Sequence, residues 1–191
     1  GIRTEQVMGR EHYKELSDII SIPLVSGSAL DADILDRQAT DHPILSLINL
    51  ARLCKTPLRK QYNKTDMYFD WNTVNYVAKC YKEYKQQHEL YDFTDMLQCF
   101  IDEADVACPK FDLVFLDEAQ DLSPLQWDIA HILDKNAKKM YAAGDDDQAI
   151  YRWAGADVEQ FITLDGSSET LSQSYRVPRR IHRIAETIVS R

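Results

Sequence analysis

The stretch that most constrains this chain is an apolar run that ends abruptly in carboxylates, Phe111-Asp-Leu-Val-Phe-Leu-Asp117-Glu118-Ala-Gln120-Asp121. The apolar residues between positions 111 and 116 predict a strand buried on both faces, as in the interior of a parallel sheet. Because burying unpaired carboxylates costs several kcal/mol, Asp117 and Glu118 are expected where the strand leaves the sheet. Ligands of open α/β sheets gather at that edge, so the sequence predicts a site for a divalent metal and a phosphate.

The residues alone leave two interpretations of Asp117 and Glu118 open. Mg²⁺ needs only one or two carboxylates when phosphate oxygens supply other ligands, and a neighbouring carboxylate can polarise the attacking water of a phosphoryl transfer. Alternatively, the pair only stabilises the start of a helix through the helix dipole. The apolar strand that precedes the pair favours the metal and phosphate site.

A second acidic segment follows, Gly144-Asp145-Asp-Asp-Gln148-Ala-Ile-Tyr151-Arg-Trp153-Ala-Gly-Ala. A turn after a neighbouring parallel strand faces the same crevice, where the Gln148 amide could sense a terminal phosphate. Tyr151 and Trp153 suit stacking on nucleic-acid bases, which is worth about 1–3 kcal/mol per base. Their spacing is equally compatible with packing in the core.

A third segment, Leu171-Ser-Gln-Ser-Tyr175-Arg176-Val-Pro178, places an arginine beside a tyrosine at a predicted strand end. A guanidinium binds phosphate oxygens in pairs, and a tyrosine ring can stack on a base. Tyr175 and Arg176 therefore suit a nucleotide clamp. The later arginines, Arg179, Arg180 and Arg183, are more typical of a solvated helix face.

The predicted elements alternate between helix and strand only in the second half of the chain. The first half is mostly helical, and the alternation after it indicates parallel βαβ order and an α/β fold. The predicted helices cover Arg10–Ile20, a segment from Pro43, Trp71–His88 with Asp70 as cap, a segment from Tyr91, Ser123–Leu133 and a segment from Pro178. The predicted strands are Phe111–Leu116, Lys138–Gly144 and a short one after Leu171.

Composition excludes some classes of protein. No apolar run approaches the roughly 20 residues that cross a bilayer, so no membrane partner is expected. The formal net charge of −9 opposes attraction of nucleic acid to the whole surface, but net charge does not exclude a local basic groove. Lys55, Arg59, Lys60 and Lys64 are such a local group, either a solvated face or a contact to a nucleic-acid backbone. The four cysteines form no CxxC pair, which indicates structural thiols and a reducing, cytoplasmic setting.

The three segments, in this order, closely resemble motifs II, III and IV of superfamily 1 DNA helicases of the UvrD/Rep/PcrA type. Asp117-Glu118-Ala-Gln120-Asp121 resembles the Walker B box, and Tyr91-Asp-Phe-Thr-Asp-Met-Leu resembles the helix before it. The resemblance departs from the usual pattern at Ser174, where the family has Asn, and at Ala154, where it has Arg. It implies a partial RecA-like (P-loop NTPase) parallel sheet with flanking helices, preceded by a mostly helical subdomain.

The resemblance also implies a role for each site residue. Asp117 would hold the Mg²⁺ of bound ATP, and Glu118 would activate the hydrolytic water. Gln148 would contact the γ-phosphate and couple its loss to the DNA site. Tyr175 would stack on adenine, and Arg176 would stabilise the transition state. Tyr151 and Trp153 would stack on bases of single-stranded DNA.

No GxxxxGK[ST] occurs in the sequence, since none of its six glycines is followed by lysine. By analogy with the family, residues 1–88 are expected to form a helical accessory (1B-like) subdomain. Residues 89–191 are expected to form the C-terminal half of the RecA-like ATPase domain 1A. The chain is thus expected to be an internal fragment of an ATP-dependent helicase, inactive by itself.

Other functions stay open from the sequence alone. The chain could be a non-catalytic nucleic-acid or protein binding module on a degenerate helicase fold. It could also be a metal nuclease that uses the acidic turns, or part of a helicase–nuclease. An upstream phosphate-binding loop in the reading frame would favour the helicase, whereas cleavage of DNA in Mg²⁺ without ATP would favour a nuclease.

Overall fold

The computed structural model describes residues 1–24, 42–171, 175 and 177–189. Its described helices are α1 Arg10–Ile20, α2 Pro43–Leu53, α3 Leu58–Tyr62, α4 Trp71–Gln87, α5 Phe93–Ala107, α6 Pro124–Asn136, α7 Val158–Ile162 and α8 Arg179–Val189. Its strands are β1 Phe111–Leu116 and β2 Ala137–Ala142, and short 3₁₀ turns join several elements. The fold is therefore mixed, with helices first and a βαβ unit after them, as the sequence predicts.

The helical half encloses the larger hydrophobic core. Apolar residues at helical spacing on α1, α2 and α4 meet there, and Leu16, Ile44, Val74 and Val77 are almost fully buried. Tyr81 and Tyr84 belong to the same core, so α4 carries core tyrosines, as its spacing indicates. The N-terminal segment closes this core by pairing Val7 with Tyr91 in a parallel bridge.

Acidic side chains fix the start of the two longest helices. Asp70 accepts hydrogen bonds from the backbone N–H groups of Asn72 and Thr73 at the start of α4. Asp92 accepts from the Asp95 N–H at 2.7 Å, and the Asp95 carboxylate accepts from the Asp92 N–H at 2.9 Å. Such caps satisfy N–H groups that have no partner inside the helix, and the predicted cap at Asp70 is confirmed.

The two strands of the sheet are parallel, as predicted. β1 and β2 are parallel neighbours, with Phe111 opposite Ala137 and Leu116 opposite Ala142, and α6 forms the crossover between them. α6 packs against both strands around Trp127, which is fully buried. Because the strands run in the same direction, the segments that follow Leu116 and Ala142 emerge at the same edge.

The expectation that β1 is buried on both faces is wrong. Leu113 is 51% exposed and Phe115 is 70% exposed, and Phe115 stacks on Tyr141 of β2 with ring centroids 5.4 Å apart. Within the described part of the chain the sheet has two strands, so α6 covers only one of its faces. The third predicted strand begins at residues 172–174, which lie outside the described residues.

The structure also shows a second, smaller hydrophobic cluster in the α/β half, formed by Ala119, Trp127 and Ala130. The division into residues 1–88 and 89–191 remains a prediction. The first cluster includes Leu90, two residues beyond the predicted boundary. Among the described residues, no helix has the length and apolar character that a membrane span requires.

Candidate functional site

The two acidic segments lie side by side at the carboxyl edge of the sheet. Asp117 directly follows β1, and Asp145 comes three residues after β2. Backbone pairing continues beyond the strands, because the Ala143 N–H donates to the Leu116 carbonyl at 2.8 Å and the Ala119 N–H donates to the Ala143 carbonyl at 2.9 Å. The structure therefore brings together the two turns that the sequence predicts to share one crevice.

Glu118 adopts an unusual backbone conformation. Its φ is 51°, in the left-handed region that costs a non-glycine residue about 1–3 kcal/mol. The Asp117 carboxylate accepts a hydrogen bond from the Glu118 N–H at 3.0 Å and so supports this turn. Both side chains are exposed at the end of the sheet. Strain of this kind is often retained where a side chain must face a ligand.

Gln120 is a site residue that sequence reasoning missed. Its side chain is 1% exposed, and its amide joins the two turns. Nε2 donates to Oε2 of Glu118 at 2.9 Å, and Oε1 accepts from the Asp145 N–H at 3.0 Å. Its position between Glu118 and Asp121 was visible in the sequence, but nothing in the pattern indicates that it points inward to the second turn.

The second turn is organised around Asp145. This carboxylate accepts from the Asp147 N–H at 3.1 Å, and Nε2 of Gln148 donates to its other oxygen. The Gln148 side chain itself is exposed. Gln148 is thus linked to Glu118 through Asp145 and Gln120, rather than by a direct contact.

The aromatic pair lies beyond this turn and faces solvent. Trp153 is 77% exposed and Tyr151 is 47% exposed, with ring centroids 6.4 Å apart and planes tilted by 46°. Core packing of these two residues, which the spacing left open, is therefore excluded. Trp153 lies in the 3₁₀ turn Arg152–Ala154 and Tyr151 directly precedes that turn. Two adjacent exposed rings are suited to stacking on unpaired bases.

Gly155 fixes this aromatic loop onto the helical half. Its φ of 100° strongly favours glycine, and a Cβ atom there would lie 2.9 Å from both Sγ of Cys54 and Cδ1 of Leu50. Those two residues belong to the end of α2. The loop that carries Trp153 therefore rests directly on a helix whose other residues form the main core.

The described structure does not complete the nucleotide clamp. Tyr175 is 89% exposed, so its ring is not packed against the carboxylates, and Arg176 lies outside the described residues. Among the described residues, no group of three or more His, Cys, Asp or Glu could hold a metal ion alone. The donor set fits Mg²⁺ that keeps water and phosphate ligands, with the Asp117 carboxylate as a hard oxygen donor.

The basic group before α4 is exposed in the structure. The Arg59 guanidinium lies 4.5 Å from the centroid of the Trp71 ring, and the Lys55 ammonium pairs with Asp128 at 2.5 Å. Lys60 and Lys64 extend into solvent. A contact of this group with a nucleic-acid backbone remains a prediction.

A buried ionic network positions the helix that leads into β1. The Asp92 carboxylate, at the start of α5, accepts hydrogen bonds from Arg52 at 2.7 Å, Lys85 at 2.5 Å and the Tyr81 hydroxyl at 2.7 Å. Arg52 and Lys85 also pair with Asp95. The network joins α2, α4 and α5, and no pattern in the sequence indicated its ion pairs.

The charges in this network shift the pKa of Asp92. Burial opposes ionisation of its carboxyl, but Lys85 and Arg52 outweigh burial and hold the pKa below its usual value of 3.8. The pKa of Tyr81 is raised by burial and by the neighbouring Asp92 carboxylate. At physiological pH the Asp92 carboxyl is therefore ionised and the Tyr81 hydroxyl is neutral.

Acid is expected to unfold the chain partly through Asp92. Because its pKa is depressed in the folded state, its contribution is complete above 3.8 and is lost as the pH falls from there toward the folded pKa. Urea unfolding of the wild-type chain and of Asp92→Asn, repeated from neutral pH to about pH 3, measures this effect. The difference in stability between the two proteins should shrink as the pH falls, and a difference that stays constant would contradict it.

Comparison with known proteins settles the family. The family model for the UvrD/REP helicase N-terminal domain matches residues 16–168, which is most of the chain. The chain belongs to the UvrD/REP helicase family. The resemblance of the sequence to this family is thereby confirmed, and the match includes the first two of the three motif segments, whereas the third begins at Leu171. The mixed helix and strand content is consistent with a partial P-loop NTPase fold.

Curated relatives agree with this assignment. The ATP-dependent DNA helicases PcrA of Staphylococcus epidermidis and Staphylococcus aureus are each 27% identical to the chain over 159 residues. Each match covers 75% of the chain and 21% of the relative. The chain thus spans about a fifth of the length of the curated relatives it matches.

Proposed function

We propose that the chain supplies the Mg·ATP half-site and a single-strand-binding loop of an ATP-dependent DNA helicase motor. The observation that carries the proposal is the junction of the two acidic turns at one edge of a parallel sheet, held by the buried Gln120 amide. Helicase homology supports the class of protein. The geometry supports a phosphate site, because the turns that carry these carboxylates follow neighbouring parallel strands and are hydrogen-bonded to each other.

In this proposal the two carboxylates of the first turn have different tasks. Asp117 holds Mg²⁺, which when bound neutralises phosphate charge and orients the nucleotide. Glu118 accepts a proton from the attacking water, for which its exposed carboxylate at the strand exit is suited. Its backbone is in the left-handed region and its side chain is exposed, so the carboxylate is accessible to a ligand at this edge of the sheet.

Gln148, Tyr175 and Arg176 are proposed to contact the bound nucleotide. Gln148 contacts the γ-phosphate, and its hydrogen bond to Asp145 connects that contact to the strand-end turns. Tyr175 stacks on adenine, and its exposed ring is accessible for that role. Arg176 stabilises charge in the transition state, as guanidinium groups do in many phosphoryl-transfer sites.

The aromatic loop is proposed to bind single-stranded DNA. Trp153→Ala should weaken binding of the full-length protein to poly(dT) by about 1–3 kcal/mol, because one stacked base loses its partner. Fluorescence anisotropy of labelled poly(dT) measures the change. Tyr76→Ala is the matched control, since it removes a half-exposed ring on α4 and should leave affinity unchanged. Equal affinity of wild type and Trp153→Ala would contradict the assignment of this loop.

The 191-residue chain alone is proposed to lack ATPase activity, because its sequence carries no GxxxxGK[ST] loop. Strand displacement by the full-length protein tests the function itself. Duplexes with a 3′ or a 5′ single-stranded tail should be unwound only with ATP and Mg²⁺, and the 3′-tailed one preferentially, by analogy with the family. Cleavage of the DNA in Mg²⁺ without ATP would instead indicate a nuclease.

A further inference from the structure

Gln120 occupies a position that neither the motif roles nor the proposed ATP chemistry explains. Its side chain is the only described one that bonds both turns, through Glu118 on one side and the Asp145 N–H on the other. It is also almost fully buried, whereas Glu118 and Gln148 are exposed. A buried amide with both ends bonded is expected to hold its partners in one fixed arrangement.

We propose that Gln120 is a positioning residue for ATP hydrolysis, which orients the Glu118 carboxylate and ties it to the turn that carries Gln148. This inference rests on the proposed function and deepens it. Nε2 donates to Oε2 of Glu118 and Glu118 is exposed, so in this proposal the other oxygen accepts the proton of the reacting water. The hydrogen bonds from Gln148 to Asp145, and from Asp145 to Gln120, then form a continuous connection between the γ-phosphate sensor and the general base.

The packing around Gln120 supports a fixed orientation. A Cβ atom at Gly144 would lie 2.5 Å from Oε1 of Gln120 and 2.9 Å from Cζ of Phe161. Only a residue without a side chain therefore leaves room for the amide at this point. Neither a shorter amide nor an apolar side chain of equal length can donate to Glu118 and accept from Asp145 at once.

Gln120→Met in the full-length protein tests the proposal. The variant keeps the length of the side chain but removes both hydrogen bonds, so kcat for ATP should fall about 10–100-fold, the range for a lost hydrogen bond to a charged group. The KM for ATP should change less than about threefold, because Asp117 and the phosphate contacts remain. If Gln120 were only a structural residue, its replacement would lower the amount of folded protein. The folded fraction would then not show a lower kcat at a nearly constant KM.

Gln126→Ala is the matched control. Gln126 lies one turn further on and bonds Ser123 at the start of α6, so its loss affects a helix start but not the turns. Its kcat should equal that of wild type. Gly144→Ala is a second test that retains Gln120 but displaces its amide, and it should reproduce the kcat loss of Gln120→Met. Wild-type kcat in folded Gln120→Met or Gly144→Ala would overturn the proposal.

A measurement on the unaltered 191-residue chain covers the case in which these variants do not fold. Hydrogen exchange of the Gln120 side-chain amide, followed by NMR, should be at least tenfold slower than that of the exposed Gln86. Exchange at the same rate as Gln86 would overturn the proposal without any assay of activity. Absence of ATPase in the wild-type full-length protein would instead overturn the proposed function, so the two failures are distinguishable.

Discussion

Replacing Glu118 by Gln is expected to reduce ATP hydrolysis by the full-length protein about 10²–10⁴-fold, the usual contribution of a general base. The amide keeps the size of the side chain but cannot accept the proton of the attacking water. Nucleotide binding should persist, because Asp117 and the phosphate contacts are unchanged. Steady-state ATPase assays and titration with a fluorescent ATP analogue separate the two effects.

Asp112→Asn is the matched control for this substitution. Asp112 lies on β1, the strand that precedes Glu118, and its exposed carboxylate pairs with Lys138 at the end of β1 that is farther from Glu118. Its replacement should leave hydrolysis within about twofold of wild type, since surface ion pairs contribute at most about 1 kcal/mol. Normal turnover in Glu118→Gln would remove Glu118 from the role of general base.

Asp92→Ala is expected to destabilise the chain by about 3–5 kcal/mol, the cost of removing one partner from a buried ion pair. Lys85 is almost as buried as Asp92, so its ammonium would lose one of its two counter-charges without gaining water. The start of α5 would also lose its cap. Urea unfolding of the 191-residue chain measures the loss as a lower midpoint.

An exposed aspartate on the same helix provides the comparison. Asp102→Ala removes an exposed carboxylate that accepts a hydrogen bond from the nearby Gln98 amide on the surface of α5. It should shift stability by less than about 0.5 kcal/mol, as is usual for surface substitutions. If Asp92→Ala were as stable as Asp102→Ala, the network would not be what holds α5 against the helical half.

The local signals in the sequence were sufficient for most elements. Asp70 and Pro43 marked helix starts, and the apolar run from Phe111 marked β1, because caps and periodicity act within a few residues. The position of Asp117 and Glu118 at the strand exit followed from the cost of burying charge. The family followed from three short motifs in order.

Long-range packing explains what the sequence could not predict. The exposure of Phe115 depends on what covers the second face of the sheet, and an apolar pattern does not contain that information. Nothing in the sequence of α4 distinguishes Lys85 from a surface lysine, yet it is buried because its ammonium pairs with Asp92. Gln120 gains its position only when β2 brings Asp145 beside the first turn. The exposure of Trp153 was likewise undetermined by spacing alone.

The most direct test of the account is steady-state ATP hydrolysis by the full-length wild-type protein, measured with Mg²⁺ in the presence and absence of poly(dT). If the acidic turns and the aromatic loop belong to one motor, single-stranded DNA should raise the rate at least tenfold, and Trp153→Ala should require more poly(dT) for the same stimulation. A protein that hydrolyses no ATP under either condition, or whose rate is indifferent to DNA, would contradict the account.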